Sequence, residues 1–101
     1  MAVLSEDEVT EAVADLPGWR VEGGNVGGSI VRDLRFPDFR GSVTFVVAVA
    51  FEAEAADHHP DLDIRWNKVR VALSTHSQGG ITAKDVAMAR AIQSLVPPEA
   101  E

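Results

Sequence analysis

The sequence predicts an α+β fold: a four-stranded antiparallel sheet with three helices packed on one face, in the order α-β-β-α-β-β-α. Three observations carry this. Three segments place apolar residues at helical spacing, and two of them open on a capping-box pattern. Between them stand pairs of short segments with strand character. Runs of two strands between helices favour antiparallel pairing over the strict alternation that builds a parallel sheet. With 101 residues the chain has room for one domain, spanning 1–101, and for one modest core.

The first helix opens at Ser5-Glu6-Asp7-Glu8, where hydroxyl and carboxylate can each satisfy the other's backbone amide. Val9, Ala12, Val13 and Leu16 follow at helical spacing, and Pro17-Gly18 stops the run. Trp19-Arg20-Val21-Glu22 alternates as a short strand, and Ser29 to Phe36 reads as its partner. The glycine-dense stretch Gly23 to Gly28 between them predicts a hairpin with a flexible tip. Pro37-Asp38 then punctuates the chain and offers Asp38 as a helix N-cap.

Phe39 to Ala56 is ambiguous in propensity, because Thr44 to Val49 favours a strand and Phe51 to Ala56 favours a helix. Its uninterrupted length of about eighteen residues decides for a long buried helix, with Val43, Val46, Val47, Ala50 and Glu54 sharing a face. The loop Asp57-His58-His59-Pro60 follows. Leu62, Ile64 and Trp66 then alternate with charged residues, and so do Val69, Val71 and Leu73 in the opposite phase. Two strands with a turn or bulge near Asn67-Lys68 account for the switch. Thr82-Ala83-Lys84-Asp85 opens the last helix, whose stripe of Val86, Ala89, Ile92, Leu95 and Val96 ends at Pro97-Pro98.

Composition excludes several functions. Nine Lys plus Arg against sixteen Asp plus Glu leave a formal charge of −7, so the basic footprint of a nucleic-acid binder is missing. No apolar run approaches the length of a membrane span, and the N-terminal residues do not read as a signal peptide. The chain has no cysteine, which removes disulfides, thiol catalysis and thiolate metal sites. A cytoplasmic location is the expectation.

The three histidines, His58, His59 and His76, all fall in one short stretch of chain, which points to a site. If the fourth strand ends beside the C-terminus of the long helix, all three imidazoles converge on one cleft. Two or three of them could then divide general acid and general base work. Glu54, Asp57 and Asp85 are near enough to fix their tautomers. Each histidine read singly has a structural alternative, as a loop corner at His59-Pro60 or a strand-end cap at His76. Thr82 and Asp85 read first as a helix cap. Metal binding is disfavoured, since adjacent histidines do not easily aim both rings at one ion and no H-E-x-x-H pattern exists. Ser74, Thr75 and Ser77 stand near His76, but no nucleophile elbow is visible.

Taken together, Glu54-Ala55-Ala56-Asp57-His58-His59-Pro60, Trp66-Asn67-Lys68-Val69, Leu73-Ser74-Thr75-His76, Gly80-Ile81-Thr82 and Asp85 resemble the pterin-4a-carbinolamine dehydratases. Gly18-Trp19 and Phe36-Pro37-Asp38-Phe39 extend the resemblance over nearly the whole chain. It implies dehydration of a 4a-hydroxytetrahydropterin to the quinonoid dihydropterin, with no metal and no organic cofactor, recycling the cofactor of aromatic amino acid hydroxylases. It implies a homodimer or homotetramer. Under it His58 and His76 are the leading acid and base, and His59 orients the pterin with Asp57 and Glu54 in support. Pro60, Ser74, Thr75, Ser77 and Asp85 complete the pocket. The family also includes binding and assembly factors on the same scaffold, which is the competing expectation. Trp66 stands where the family often has tyrosine, Lys84 replaces a common arginine, and Gln78-Gly79 departs from the usual loop.

Overall fold

A computed structural model describes residues 2–101. Helix α1 covers Glu6–Ala14 and begins with the predicted reciprocal cap. The Ser5 N–H donates to Glu8 Oε1 at 3.0 Å, and the Glu8 N–H donates to Ser5 Oγ at 3.1 Å. Those hydrogen bonds from Ser5 hold the Glu8 carboxyl below its ordinary pKa. Strands β1 (Trp19–Glu22) and β2 (Ser29–Arg35) follow, then α2 (Phe39–Ala56), β3 (Asp61–Arg65), β4 (Lys68–Leu73), a short 3-10 turn (His76–Gln78) and α3 (Ala83–Gln93).

The four strands form one antiparallel sheet in the order β1-β2-β4-β3. Alternation decides what each face carries. Ile30 opposite Leu73, and Leu34 opposite Val69, fall on the face that meets the helices. They join Val9 and Leu16, Phe45 and Val49 of α2, and Met88, Ala89 and Ile92 of α3 in a single core. The other face has no helix over it, yet Val31 there is only 1% exposed. Four charges roof it. Arg70 of β4 pairs with Glu22 of β1, and Arg20 of β1 pairs with Glu22 and with Asp33 of β2, the last at 2.8 Å. Arg20 stands opposite Val31 in the β1–β2 register, and both arginine side chains remain partly exposed.

Three readings from the sequence change in detail. The glycine-rich tip is pinned: the Gly27 N–H donates to Gly79 O, the Ile81 N–H to Asn25 O, and Asn25 Nδ2 to Leu4 O. The β3–β4 turn is Trp66-Asn67, one residue earlier than expected, and Trp66 lies in it and not in the strand. Asn67 fixes that position, because its side chain donates to Phe36 O at 3.1 Å and its carbonyl accepts from the Phe36 N–H. Trp66 consequently takes a positive φ of 54° and is largely exposed.

The third change concerns α2, which is not a buried helix. Ser42, Phe45, Val49 and Ala53 face the core. Phe39, Val43, Val47 and Phe51, four residues apart, lie open on the outer side at 54, 37, 50 and 75% exposure. The segment is apolar nearly all round, so periodicity alone could not tell which side the sheet covers.

Candidate functional site

Two chain ends create the site. At the C-terminus of α2, Asp57 adopts the left-handed conformation (φ 51°), and its N–H bonds back to Ala53 O and Glu54 O. The reversal sends the chain off the helix, and the His58 N–H closes it by donating to Ala53 O at 3.1 Å. At the end of β4, Thr75 bridges to Gly80 and the 3-10 turn begins at His76. The N-terminus of α3 meets both, because Thr82 caps it and Asp85 occupies its third position.

Asp85 is the centre of the arrangement and is fully buried. Its Oδ1 lies 2.6 Å from His58 Nε2, and its Oδ2 accepts from the Thr75 hydroxyl and from the Thr82 N–H, both at 2.8 Å. A buried carboxylate is tolerated only when its lone pairs are met by donors, and here three donors meet them. The directions are forced. The single Thr75 proton goes to Asp85, so Thr75 Oγ1 must accept from Thr82 Oγ1, 2.8 Å away. Thr82 Oγ1 in turn accepts from the Lys84 N–H at 3.3 Å. Asp85, acceptor on both oxygens, fixes the His58 proton on Nε2 and leaves Nδ1 as the nitrogen that can take up or release one.

His59 makes a second and looser pair, its Nε2 2.7 Å from Glu54 Oε1. Both side chains are more than half exposed, so the pair orients the ring without contributing much to stability. Pro60 and Ser74 are half-buried, and His76 and Ser77 are exposed on the 3-10 turn. Among the described residues the His76 imidazole makes no hydrogen bond and is tied to the network only through its neighbour Thr75. Direct hydrogen bonds therefore join His58, Thr75 and Asp85, and separately His59 and Glu54. No bond to a side chain of the site is made by Asp57, Pro60, Ser74 or Ser77 among the described residues.

The sequence reading saw Thr82 chiefly as a cap and did not place it in the site. Its hydroxyl is a link in the buried chain, and the available signal was that one threonine and one aspartate can cap and orient together. Two broad concavities lie elsewhere. One, of about 590 Å³, runs along Arg35, Lys68 and Arg65 on the helix-free side of the sheet, and the other, of about 410 Å³, lies between α1 and α3. Neither contains a histidine. The buried Asp85 carboxylate and the imidazole hydrogen-bonded to it lie apart from both. Among the described residues no group of three or more His, Cys, Asp or Glu is arranged to hold a metal ion.

Comparison with known proteins bears on the family and the fold. The family model for pterin 4 alpha carbinolamine dehydratase matches residues 2–95. A Chloroflexus aggregans protein named "putative pterin-4-alpha-carbinolamine dehydratase" is 52% identical over 96 residues, covering 95% of this chain and 99% of its own. A crystal structure described as a transcriptional coactivator/pterin dehydratase from Brucella melitensis superposes with a TM-score of 0.86 at 36% identity, covering 93% of this chain and 98% of that one. A pterin dehydratase-like protein described as a RuBisCO assembly factor in the alpha-carboxysome shares the fold at 19% identity and a TM-score of 0.65, over 77% of this chain and 88% of its own.

Proposed function

Because the chain belongs to the pterin 4 alpha carbinolamine dehydratase family, we propose that it dehydrates a 4a-hydroxytetrahydropterin to the quinonoid dihydropterin and water. The observation that carries this is the His58–Asp85 pair, an imidazole held in one tautomer by a buried, fully satisfied carboxylate. The reaction breaks the C4a–O bond. The leaving oxygen gains a proton to depart as water, and the pterin loses an N–H proton to give the quinonoid ring. One group must give a proton and another must take one, and two imidazoles in unlike surroundings suit that division.

In this reading His58 exchanges its proton at Nδ1, and His76, whose ring has no hydrogen-bond partner among the described residues, is the complementary acid or base. His59, steadied by Glu54, orients the pterin, and Asp57 supports the same wall of the site. Pro60, Ser74, Thr75 and Ser77 line the pocket. Asp85 does not touch substrate and acts as a positioning residue through His58. The protein works as a single-domain homodimer or homotetramer in the cytoplasm, without metal or organic cofactor, and serves a pterin-dependent enzyme such as an aromatic amino acid hydroxylase. No helix among the described residues is long and apolar enough to cross a membrane.

A second reading, a binding or assembly factor on the same scaffold, is favoured by one feature, the open apolar side of α2. The dehydration rate of freshly generated 4a-hydroxytetrahydropterin separates the two. A dehydratase accelerates it, and His58→Ala and His76→Ala each lose roughly two or more orders of magnitude. No acceleration by folded wild type refutes the catalytic reading.

A further inference from the structure

The helix-free face of the sheet carries charges in ranks that run across the strands, and two adjacent ranks are built differently. In one, Arg70 of β4 stands between Asp33 of β2 and Asp63 of β3, so the signs alternate and the rank neutralises itself. In the next, Lys68 of β4 stands between Arg35 of β2 and Arg65 of β3, and all three are cations. Like charges set directly opposite one another on neighbouring strands weaken a sheet. The chain has nine lysines and arginines against sixteen acids, so its composition does not account for three cations abreast. Such a conflict on an open face is relieved when an anion settles over it.

The chain itself does not relieve it. Among the described residues neither Arg35 nor Lys68 takes part in an ion pair. Arg65 touches Asp63 at 3.1 Å, but the two side chains are 83% and 50% exposed, a pair that an incoming anion displaces at little cost. Glu101 flanks the rank by exchanging backbone hydrogen bonds with Arg35, and its carboxylate makes no ion pair with any of the three cations. The rank also lines the concavity of about 590 Å³ described above. A hollow of that size takes a small organic molecule.

Neighbouring strands lie about 4.8 Å apart, so three residues abreast make a rank roughly 10 Å long. A carboxylate meets one of its charges, and a phosphate monoester carries about two. A diphosphate group comes nearer to both the length and the charge. The order of residues suits it as well, with a planar guanidinium fork at each end and the compact ammonium of Lys68 between them. We propose that Arg35, Lys68 and Arg65 form a binding site for the diphosphate group of a small molecule, whose remaining atoms lie in the adjoining concavity. The site is on the face of the sheet opposite the helices, and it stands whether or not the catalytic reading does.

Calorimetric titration of the full chain at low ionic strength tests it, with inorganic pyrophosphate, ADP and orthophosphate as probes. Pyrophosphate binds with a Kd of about 10 μM–1 mM, and orthophosphate at least about tenfold more weakly. ADP binding more tightly than pyrophosphate identifies a diphosphate ester that uses the concavity, and the opposite order identifies the free diphosphate. Arg35→Gln and Lys68→Gln each weaken binding about tenfold, whereas Arg90→Gln on α3 leaves it within about twofold, which separates a local site from general charge. Thermal melts give a second readout. Without anion, Lys68→Gln raises Tm by about 1–5 °C because a like-charge conflict is gone, and pyrophosphate raises the Tm of wild type but not of the variant. No binding of pyrophosphate or ADP at 10 mM, equal binding of orthophosphate and pyrophosphate, equal weakening by Arg90→Gln, or a lower Tm for Lys68→Gln overturns the proposal. None of these readouts involves turnover, so dehydratase activity can fail while the anion site stands, and the reverse.

Discussion

Replacing Asp85 by asparagine separates orientation from packing at the site. The amide keeps the shape of the carboxylate but has only one acceptor oxygen. Two donors, the Thr75 hydroxyl and the Thr82 N–H, converge on the Oδ2 position, so the amide oxygen settles there. The NH₂ then faces His58 Nε2, which stands 2.6 Å from Oδ1 in the native protein. Two donors cannot share one bond, so His58 must move its proton to Nδ1 and accept at Nε2. The nitrogen that was free to exchange a proton is thereby blocked. Exchanging bonds to a charged acceptor for neutral ones costs about 2 kcal/mol, which for a domain of this size is a fall of roughly 10 °C in Tm. The rate falls much further, by about 10²–10⁴, the range of a general acid–base contribution. The assay pairs dehydration kinetics with the nitrogen NMR spectrum of His58, which reads the tautomer directly. A folded Asp85→Asn that keeps its rate within about threefold, or keeps the Nε2–H tautomer, refutes the reasoning.

Two further outcomes follow from the packing and the charge lattice. A Cβ added at Gly80 would stand 2.3 Å from the Asn25 carbonyl oxygen, so Gly80→Ala loses about 2 kcal/mol or more in urea denaturation by forcing two backbones apart. The Glu22 carboxyl is held below its ordinary value of 4.5, first by the hydrogen bond from Arg70 and then by that from Arg20. Its contribution to stability is therefore full above the unfolded pKa and disappears as pH falls through the lower folded one. The Tm difference between wild type and Glu22→Gln is largest near neutral pH and closes as pH falls below the ordinary carboxylate value, and a difference that widens on acidification contradicts the assignment.

Much of this was legible because the signals were local. Ser5 with Glu8, and Thr82 with Asp85, announce helix starts through side chains that can reach only a few residues. The two out-of-phase alternating sets around Asn67 announce a turn or bulge between two strands, because a single regular strand cannot switch phase. What stayed illegible depends on distant chain. The sheet order, the burial of Val31 under charges from three strands, and the pinning of the glycine loop by Gly79 and Asn25 are contacts between segments far apart in sequence. The side of α2 that meets the core was hidden for a different reason. When nearly every position is apolar, periodicity has no contrast to report. At the site the sequence singled out all three histidines and Asp85, but which imidazole meets which carboxylate is set by where α2, β4 and α3 end relative to one another.

Asp85 serves two masters, and that bears on how relatives of this chain can be interpreted. Its oxygens hold the start of α3 as well as His58, so the carboxylate has a reason to persist in a protein that has abandoned chemistry altogether. A descendant kept only as a scaffold would retain the threonine and the aspartate for the sake of folding. The exposed His59 and His76, which the fold does not need, would be free to drift. Within such a lineage the aspartate would be a record of ancestry, and the histidines around it a record of present use.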